Sequence, residues 1–224
     1  MKYRHAHHAG NFADVHKHVT LLALLAALKR KDKGFFYLET HAGRGAYDLS
    51  GQAGESAGGI GRFESQPGLP AAWRTGAPEL RIYGERVALL RRERAAPRLY
   101  PGSPLLAASE LRPADRAAWI EVSPPEARAL ERALHHCAAD AQQVRVETGD
   151  GFERMRAWLP PRERRGLTFI DPPYEETRQD FERARRAAAE ALRRFHTGVV
   201  AIWYPIKDER DTTAWLAALA AELD

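Results

Sequence analysis

Cysteine and long apolar runs are scarce in this sequence, and each shortage excludes a class of protein. Cys137 is the only cysteine among 224 residues, so no disulfide can form within the chain. The longest apolar stretch, LLALLAAL at 21–28, is far shorter than the roughly 20 residues that cross a bilayer. The polar, histidine-rich start, MKYRHAHHAGNFADVHKH, does not resemble a signal peptide. We therefore expect a cytoplasmic protein with no membrane partner.

An excess of one charge is also missing, since 34 basic residues face 30 acidic ones and the net charge is only +4. This balance permits nucleic-acid binding without establishing it. Runs such as RRERAAPR at 91–98 and RARRAAAEALRR at 183–194 are equally compatible with solvated helix faces. Charge alone therefore does not identify a partner.

A metal site is not expected, although histidines are frequent before residue 19. Their spacing is loose and the single cysteine lies far away in the sequence, whereas zinc sites need closely spaced ligands. The histidines in this segment are His5, His7, His8, His16 and His18.

Short apolar segments alternate with helical patterns along most of the chain. This alternation predicts an α/β protein with a doubly wound, mostly parallel sheet, in one domain spanning residues 1–224. The predicted strands are 35–40, 117–122, 143–148, 166–171 and 198–205. The predicted helices are 13–31, 123–137 and 179–195.

Residues 48–116 interrupt this alternation. They begin with the glycine-rich GQAGESAGGIGRF and continue with the helical pattern ERVALLRRERA. We interpret them as a small, partly helical subdomain inserted after the first strand. The chain then ends on the helical pattern DTTAWLAALAAELD, with no strand after it.

Three of the predicted strands end in residues that could bind a ligand, since ligands of open α/β sheets lie beyond the carboxyl ends of the strands. The first strand leads into His41 and a glycine turn. The second ends at Glu121, whose carboxylate could accept both hydroxyls of a ribose, and the third ends at Asp150-Gly151, a common turn pair. Each of these features, taken alone, is also explained as an ordinary turn or solvated cap.

The fourth strand ends in the segment FIDPPYEE at 169–176, which is more specific. Proline fixes its own backbone and lacks an N–H, and it pushes the preceding residue toward extended geometry. Asp171 is therefore held stiffly, with few neighbouring amide donors. Turn formation explains one proline but rarely two between an acid and an aromatic residue, so a chemical role is indicated.

The order of glycine-rich loop, acid, acid and Asp-Pro-Pro-Tyr resembles the S-adenosylmethionine-dependent amino-methyltransferases. The chain resembles most the RlmJ family of bacterial 23S ribosomal RNA adenine-N6 methyltransferases, and the likeness spans almost the whole sequence. The matching blocks are YRHAHHAGNFADVHKH at 3–18, YLETHAGRGAY at 37–47, YPGSPLLA at 100–107 and RRGLTFIDPPYE at 164–175.

The family's fold, cofactor and substrate, carried over to this chain, give the following expectations. The fold is a Rossmann-like class I methyltransferase with a shortened C-terminus, since family members continue past residue 224 with a last pair of strands. The cofactor is S-adenosyl-L-methionine, with no metal. The partner is 23S rRNA, either free or in an early assembly intermediate, and the protein is a monomer.

Residue roles follow from this resemblance and from the chemistry of the residues themselves. Asp171 is the expected catalytic residue, Pro172 and Pro173 complete its motif, and Tyr174 is expected to stack on the target base. The N-terminal segment 1–12 is expected to close over the active site. Its Tyr3 and His5, together with Tyr174, are the expected RNA contacts. The resemblance implies cofactor contact by His18, His41, Ser103, Glu121, Asp150, Gly151 and Asp171, and within this set Asp150 suits the adenine amine. Lys17 is also expected to bind the cofactor because its charge suits the methionine carboxylate, and Gly43 because glycine lets the backbone approach a ligand closely.

The motif suits methylation of an exocyclic amine for a physical reason. The N6 lone pair of adenine is delocalised into the ring and is a poor nucleophile. A carboxylate at Asp171 accepting one N6–H and the Pro172 carbonyl accepting the other would direct that lone pair toward a methyl donor. An adenine stacked inside a helix cannot reach such a site, so the target is single-stranded or flipped out.

Two alternatives remain open from the sequence. The first is the same chemistry on DNA, although the chain lacks a long separate target-recognition domain. The second is a non-catalytic RNA-binding protein that retains the fold, which the intact motif at 171–174 argues against. For the RNA enzyme, we expect basic residues of the insertion to contact the rRNA backbone, namely Arg62, Arg74, Arg81, Arg91 and Arg92.

Overall fold

The computed structural model describes residues 9–50, 55–65, 78–135, 144–175 and 177–223. Within these ranges, no helix is both long and apolar enough to cross a membrane.

The strands are β1 Phe36–Glu39, β2 Ala46–Asp48, β3 Leu99–Pro101, β4 Arg116–Glu121, β5 Val144–Thr148, β6 Gly166–Ile170 and β7 Val199–Ile202. The helices are α1 Phe12–Lys29, α2 Glu55–Gly58, α3 Ile60–Ser65, α4 Pro78–Glu93, α5 Ser103–Ala108, α6 Pro124–Leu134, α7 Gly151–Trp158, α8 Thr177–Arg194 and α9 Glu209–Leu223.

Five of the strands form one sheet in the order β5-β4-β1-β6-β7. All neighbouring strands are parallel, and Leu38 of β1 lies in register with Ala118 of β4 and Thr168 of β6. The chain runs from β1 to one side of the sheet and then crosses to the other side, so the strand order reverses at β1. The predicted doubly wound α/β fold is confirmed, and such a reversal is where this kind of sheet binds ligands.

One face of the sheet is covered by α7 and α8. Leu38, Ile120 and Ile170 point into a buried cluster with Met155 of α7. The buried positions of α8 are mostly alanines, which allow its backbone to approach the sheet closely. These alanines are Ala184, Ala187, Ala188 and Ala191. This packing fixes α8 beside the carboxyl end of β6.

The chain forms two compact units. The first contains the described residues of 1–32, 43–112 and 128–139, and the second contains those of 33–42, 113–127 and 140–224. The whole parallel sheet lies in the second unit. The first contains most of the predicted insertion, together with α1 and a two-stranded antiparallel sheet of β2 and β3.

Three short elements were not predicted from the sequence. Strands β2 and β3 have three residues each, which is too short for an alternating pattern to show. Helix α7 begins at Gly151, where the sequence indicated only a turn. The helix and the turn share one signal, because an acid before glycine is compatible with both a turn and a helix N-cap.

Candidate active site

The carboxyl ends of four neighbouring strands in the second unit carry most of the predicted site residues. Strands β5, β4, β1 and β6 lie side by side. They lead respectively into Asp150, Glu121, His41 and Asp171. Because parallel strands end at the same edge of a sheet, these side chains belong to one edge, as the sequence predicted.

The backbone after β1 stays bonded to both neighbouring strands. The Thr40 amide donates to the Phe169 carbonyl at 3.1 Å, and the Ala42 amide donates to the Ile120 carbonyl at 3.0 Å. His41 is thereby held between these two bonds. Its Nδ1 lies 2.8 Å from the Thr40 hydroxyl, and its ring packs edge-on against Phe152 at 4.6 Å between centroids.

Burial of the His41 ring lowers its pKa to about 4; Asp150 opposes this shift and Arg183 adds to it. Because the folded pKa lies below the ordinary value of 6.5, protons bind preferentially to the unfolded chain. The contribution of the neutral His41 ring to the free energy of unfolding is therefore fully present above about pH 6.5 and is lost as the pH falls toward 4. We expect wild type to lose more stability than His41→Asn over this range in urea unfolding. A difference in free energy of unfolding between wild type and His41→Asn that does not change with pH would contradict the lowered pKa of His41.

Glu121 ends β4 as a buried carboxylate. Its Oε1 accepts a hydrogen bond from the Ser123 amide at 2.8 Å, and its carbonyl accepts one from the Gly149 amide at 3.0 Å. The interpretation of Glu121 as a solvated cap is therefore wrong about solvation, although the side chain does stabilise the turn into α6. Burial of a carboxylate is costly unless it is hydrogen-bonded, which is consistent with a binding role.

Asp150 is the N-cap of α7. Its Oδ1 accepts hydrogen bonds from the amides of Phe152 at 2.9 Å and Glu153 at 3.4 Å. Its Oδ2 accepts from Arg183 of α8 at 2.5 Å. Burial raises the pKa of Asp150, but the bond and charge of Arg183 and the two amides outweigh it, so the net pKa lies below the usual value. Asp150 is therefore held as a carboxylate.

Gly151 is required by packing. A Cβ at this position would lie 1.8 Å from the Thr40 carbonyl oxygen, so only glycine lets α7 begin this close to the end of β1. This contact places the first turn of α7 directly beside the backbone that carries His41. The predicted role of Gly151 in cofactor binding stays a prediction, and the structure adds a packing role.

The Asp-Pro-Pro-Tyr segment leaves β6 without regular structure. Asp171 is half-buried, Pro172 is buried and Pro173 is exposed. Tyr174 has a φ of 52°, which is uncommon for a residue other than glycine. Its side chain is only 6% exposed and packs against Phe181 of α8 at 4.8 Å between ring centroids. Packing against α8 thus holds the motif in an unusual backbone conformation.

Burial, followed by the negative charge of Asp171, raises the pKa of Tyr174 well above its ordinary value. The side chain is therefore a neutral phenol at physiological pH. Stacking of Tyr174 on a target base stays a prediction, because most of the ring is covered in this structure.

The first unit contains the other predicted cofactor residues, on α1 and after β3. Lys17 is 4% exposed and its Nζ lies 2.9 Å from Asp14 Oδ1, while Asp14 Oδ2 accepts from the Gly10 amide at 3.1 Å. Lys17 is therefore a buried, ion-paired residue of α1. His18 is buried as well, with its Nδ1 3.1 Å from the Tyr100 hydroxyl.

Gly43 and Ser103 also have defined places in the first unit. Gly43 has a φ of 63°, which favours glycine, and an added Cβ would lie 2.7 Å from the Tyr47 hydroxyl. Ser103 is buried as the first residue of α5. Cofactor contact by Lys17, His18, Gly43 and Ser103 stays a prediction.

Some expected RNA contacts fall outside the described residues, and RNA contact by the remaining arginines stays a prediction. Tyr3, His5 and Arg74 lie outside the described ranges. Arg91 is not a solvated side chain, because its Nε donates to the Leu99 carbonyl at 2.7 Å and its Nη1 pairs with Glu64. These partners give Arg91 a structural role within the first unit.

Sequence reasoning passed over two residues at the sheet edge. Glu39 ends β1 fully buried and accepts a hydrogen bond from the Tyr37 hydroxyl at 2.9 Å. Arg183 belongs to a run that was considered compatible with a solvated helix face, but it reaches Asp150. Neither residue carries a local signal, since the burial of Glu39 depends on neighbouring strands and the contact of Arg183 depends on helix packing.

The chain is similar to known proteins over most of its length. Residues 32–223 match the family described as RsmJ: Ribosomal RNA large subunit methyltransferase D, RlmJ. The chain is 40% identical to Ribosomal RNA large subunit methyltransferase J of Haemophilus influenzae over 99% of this chain and 76% of that protein. It is 41% identical to the protein of the same name from Escherichia coli over 92% of this chain and 70% of that protein.

A solved structure is similar as well. A Legionella pneumophila protein of family DUF519 has a TM-score of 0.77 and 38% sequence identity, and the match covers 96% of this chain and 75% of that one. The family match over residues 32–223 and the two relatives at about 40% identity lead to one assignment: this chain belongs to the RlmJ family of ribosomal RNA large subunit methyltransferases.

Proposed function

We propose that this protein transfers a methyl group from S-adenosylmethionine to N6 of an adenine in 23S ribosomal RNA. The observation that carries the proposal is the Asp-Pro-Pro-Tyr segment at the end of β6, directly beside β1 where the strand order reverses. The names of the two relatives, both ribosomal RNA large subunit methyltransferases, support the substrate class.

The segment has the groups that orientation of an exocyclic amine requires. Asp171 supplies a carboxylate and the Pro172 carbonyl a second acceptor, for the two hydrogens of N6. Neither proline has an N–H that would compete for these acceptors. The packing of Tyr174 on Phe181 fixes the end of the segment, so the acceptors are held before the substrate binds.

The residues at the neighbouring strand ends fit the cofactor's donor groups. Glu121 is a buried carboxylate suited to ribose hydroxyls, and Asp150 is a carboxylate suited to the adenine amine. When bound, S-adenosylmethionine supplies an electrophilic methyl group on a sulfonium. The task of this chain's residues is to hold the amine lone pair in line with that methyl.

The proposed function is tested by mass spectrometry of rRNA fragments from cells with and without the gene. We expect one adenine-containing 23S fragment to lose a single methyl group in the deletion strain and to regain it with the wild-type gene. Unchanged rRNA together with a lost N6-methyladenine in DNA would favour the DNA enzyme. Unchanged methylation of both nucleic acids would favour the non-catalytic RNA-binding protein.

Glu121→Gln separates the capping role of this residue from its proposed cofactor role. Glutamine keeps an oxygen for the Ser123 amide but loses the charge, so stability should change little. Charge-assisted hydrogen bonds to ribose contribute roughly 1.5–3 kcal/mol, and we expect calorimetry to show S-adenosylmethionine affinity at least about tenfold weaker. Unchanged affinity would leave Glu121 only its role in the turn.

A further inference from the structure

Arg183 reaches from α8 to the carboxyl end of β5 and joins a cluster of four residues. Its Nη2 lies 2.5 Å from Asp150 Oδ2. Its guanidinium carbon lies 4.5 Å above the centre of the Phe152 ring, and that ring contacts His41. We call Arg183, Asp150, Phe152 and His41 the arginine cluster. All four belong to the second unit.

The two oxygens of Asp150 have different tasks in this cluster. Oδ1 accepts the amides of Phe152 and Glu153 and caps α7. Oδ2 is bonded by Arg183. Rotation about the Cβ–Cγ bond moves both oxygens, so a hydrogen bond to each oxygen restricts that rotation more than the capping bonds alone.

The orientation of Arg183 is itself fixed. A planar guanidinium stacks on an aromatic face, and Phe152 belongs to the buried core, so its ring provides a fixed surface. A lysine could replace the charge but not the stacked plane. The cluster is thus built to hold one geometry of Asp150.

We propose that Arg183 is a positioning residue that orients Asp150 Oδ2 toward the adenine amine of S-adenosylmethionine. This inference rests on the proposed function. It gives a physical reason why the cofactor site would prefer a ligand that carries an adenine amine. The alternative is an ordinary surface ion pair with no role in ligand binding, since the side chains of Arg183 and Asp150 are 38% and 33% exposed. Such a pair stabilises the fold little and predicts no effect on ligand discrimination.

Two ligands that differ at one group test the inference. S-adenosylhomocysteine carries the adenine amine, and S-inosylhomocysteine carries a carbonyl in its place. By calorimetry, we expect wild type to prefer the amine ligand by about tenfold or more, as expected for a hydrogen bond to a charged group. Arg183→Met should lower the preference to about threefold or less, and Arg183→Lys should give an intermediate value.

Arg186→Met is the matched control. Arg186 is on the same helix, is 72% exposed and pairs with Glu182, so its loss should leave the preference unchanged. A wild-type preference in Arg183→Met would overturn the inference, and so would equal binding of both ligands by wild type. If Arg183→Met does not fold, the same comparison with Arg183→Lys decides. Failure of wild type to bind S-adenosylhomocysteine at all would instead contradict the proposed function.

Discussion

Asp171→Ala should lower the single-turnover rate of methyl transfer by about a hundredfold or more, while S-adenosylmethionine affinity changes only within a few-fold. The rate falls because the variant loses the acceptor that orients N6 and the negative charge that stabilises the developing positive charge on the amine. Cofactor affinity is retained because the cofactor has several other proposed contacts, among them Glu121 and Asp150 at other strand ends. Rapid-quench measurement on rRNA and calorimetry with the cofactor give the two quantities separately.

Glu175→Ala is the control for this variant. Glu175 lies on the same segment and is exposed, so its loss removes an acid without changing the proposed acceptors. We expect its rate to stay within a few-fold of wild type. Near-normal turnover by purified Asp171→Ala would remove the proposed mechanism, and an equal loss in Glu175→Ala would show that general charge around the segment is responsible.

Gly151→Ala should destabilise the protein by at least about 2 kcal/mol, because an added Cβ would overlap the Thr40 carbonyl oxygen at 1.8 Å. The obstacle is backbone, and it cannot move easily. The Thr40 amide is bonded to β6 and the Ala42 amide to the end of β4, so displacing this segment strains both hydrogen bonds. Urea unfolding of wild type and variant measures the loss.

Gly58→Ala is the matched substitution, because a Cβ at Gly58 would have no heavy atom within 4 Å. We expect its free energy of unfolding to stay within about 0.5 kcal/mol of wild type or to rise slightly, since alanine restricts the unfolded chain. Similar free energies of unfolding for Gly151→Ala and Gly58→Ala would show that the close approach of α7 to β1 is not a constraint.

The fold was predictable because its signal is local. The five strands of the parallel sheet were predicted from apolar runs within a few residues of their observed bounds. The small sheet of β2 and β3 was not, since strands of three residues carry no period and depend on pairing between Tyr47 and Tyr100, far apart in sequence. Such short strands depend on burial and on their pairing partners, which a few consecutive residues of sequence do not show.

The residues of the candidate site also fall into those that local sequence patterns predicted and those that they did not. Asp171, Glu121 and Asp150 were found from the sequence, because parallel strands place their carboxyl ends at one edge whatever the details of packing. Glu39 and Arg183 were missed, and Arg91 was considered only for RNA contact or a solvated helix face, although it bonds the Leu99 carbonyl. Each of these errors concerns a charged side chain whose surroundings come from another element.

The sequence by itself determined the five strands of the parallel sheet, the acids at their ends and the stiff Asp-Pro-Pro-Tyr segment, because periodicity and proline act over a few residues. Tertiary structure alone decided which side of a carboxylate is bonded and how firmly it is held. Arg183 lies 33 positions from Asp150, and only the packing of α8 on the sheet brings them together. A side chain's partners depend on distances through space, and those are fixed only when the chain has folded.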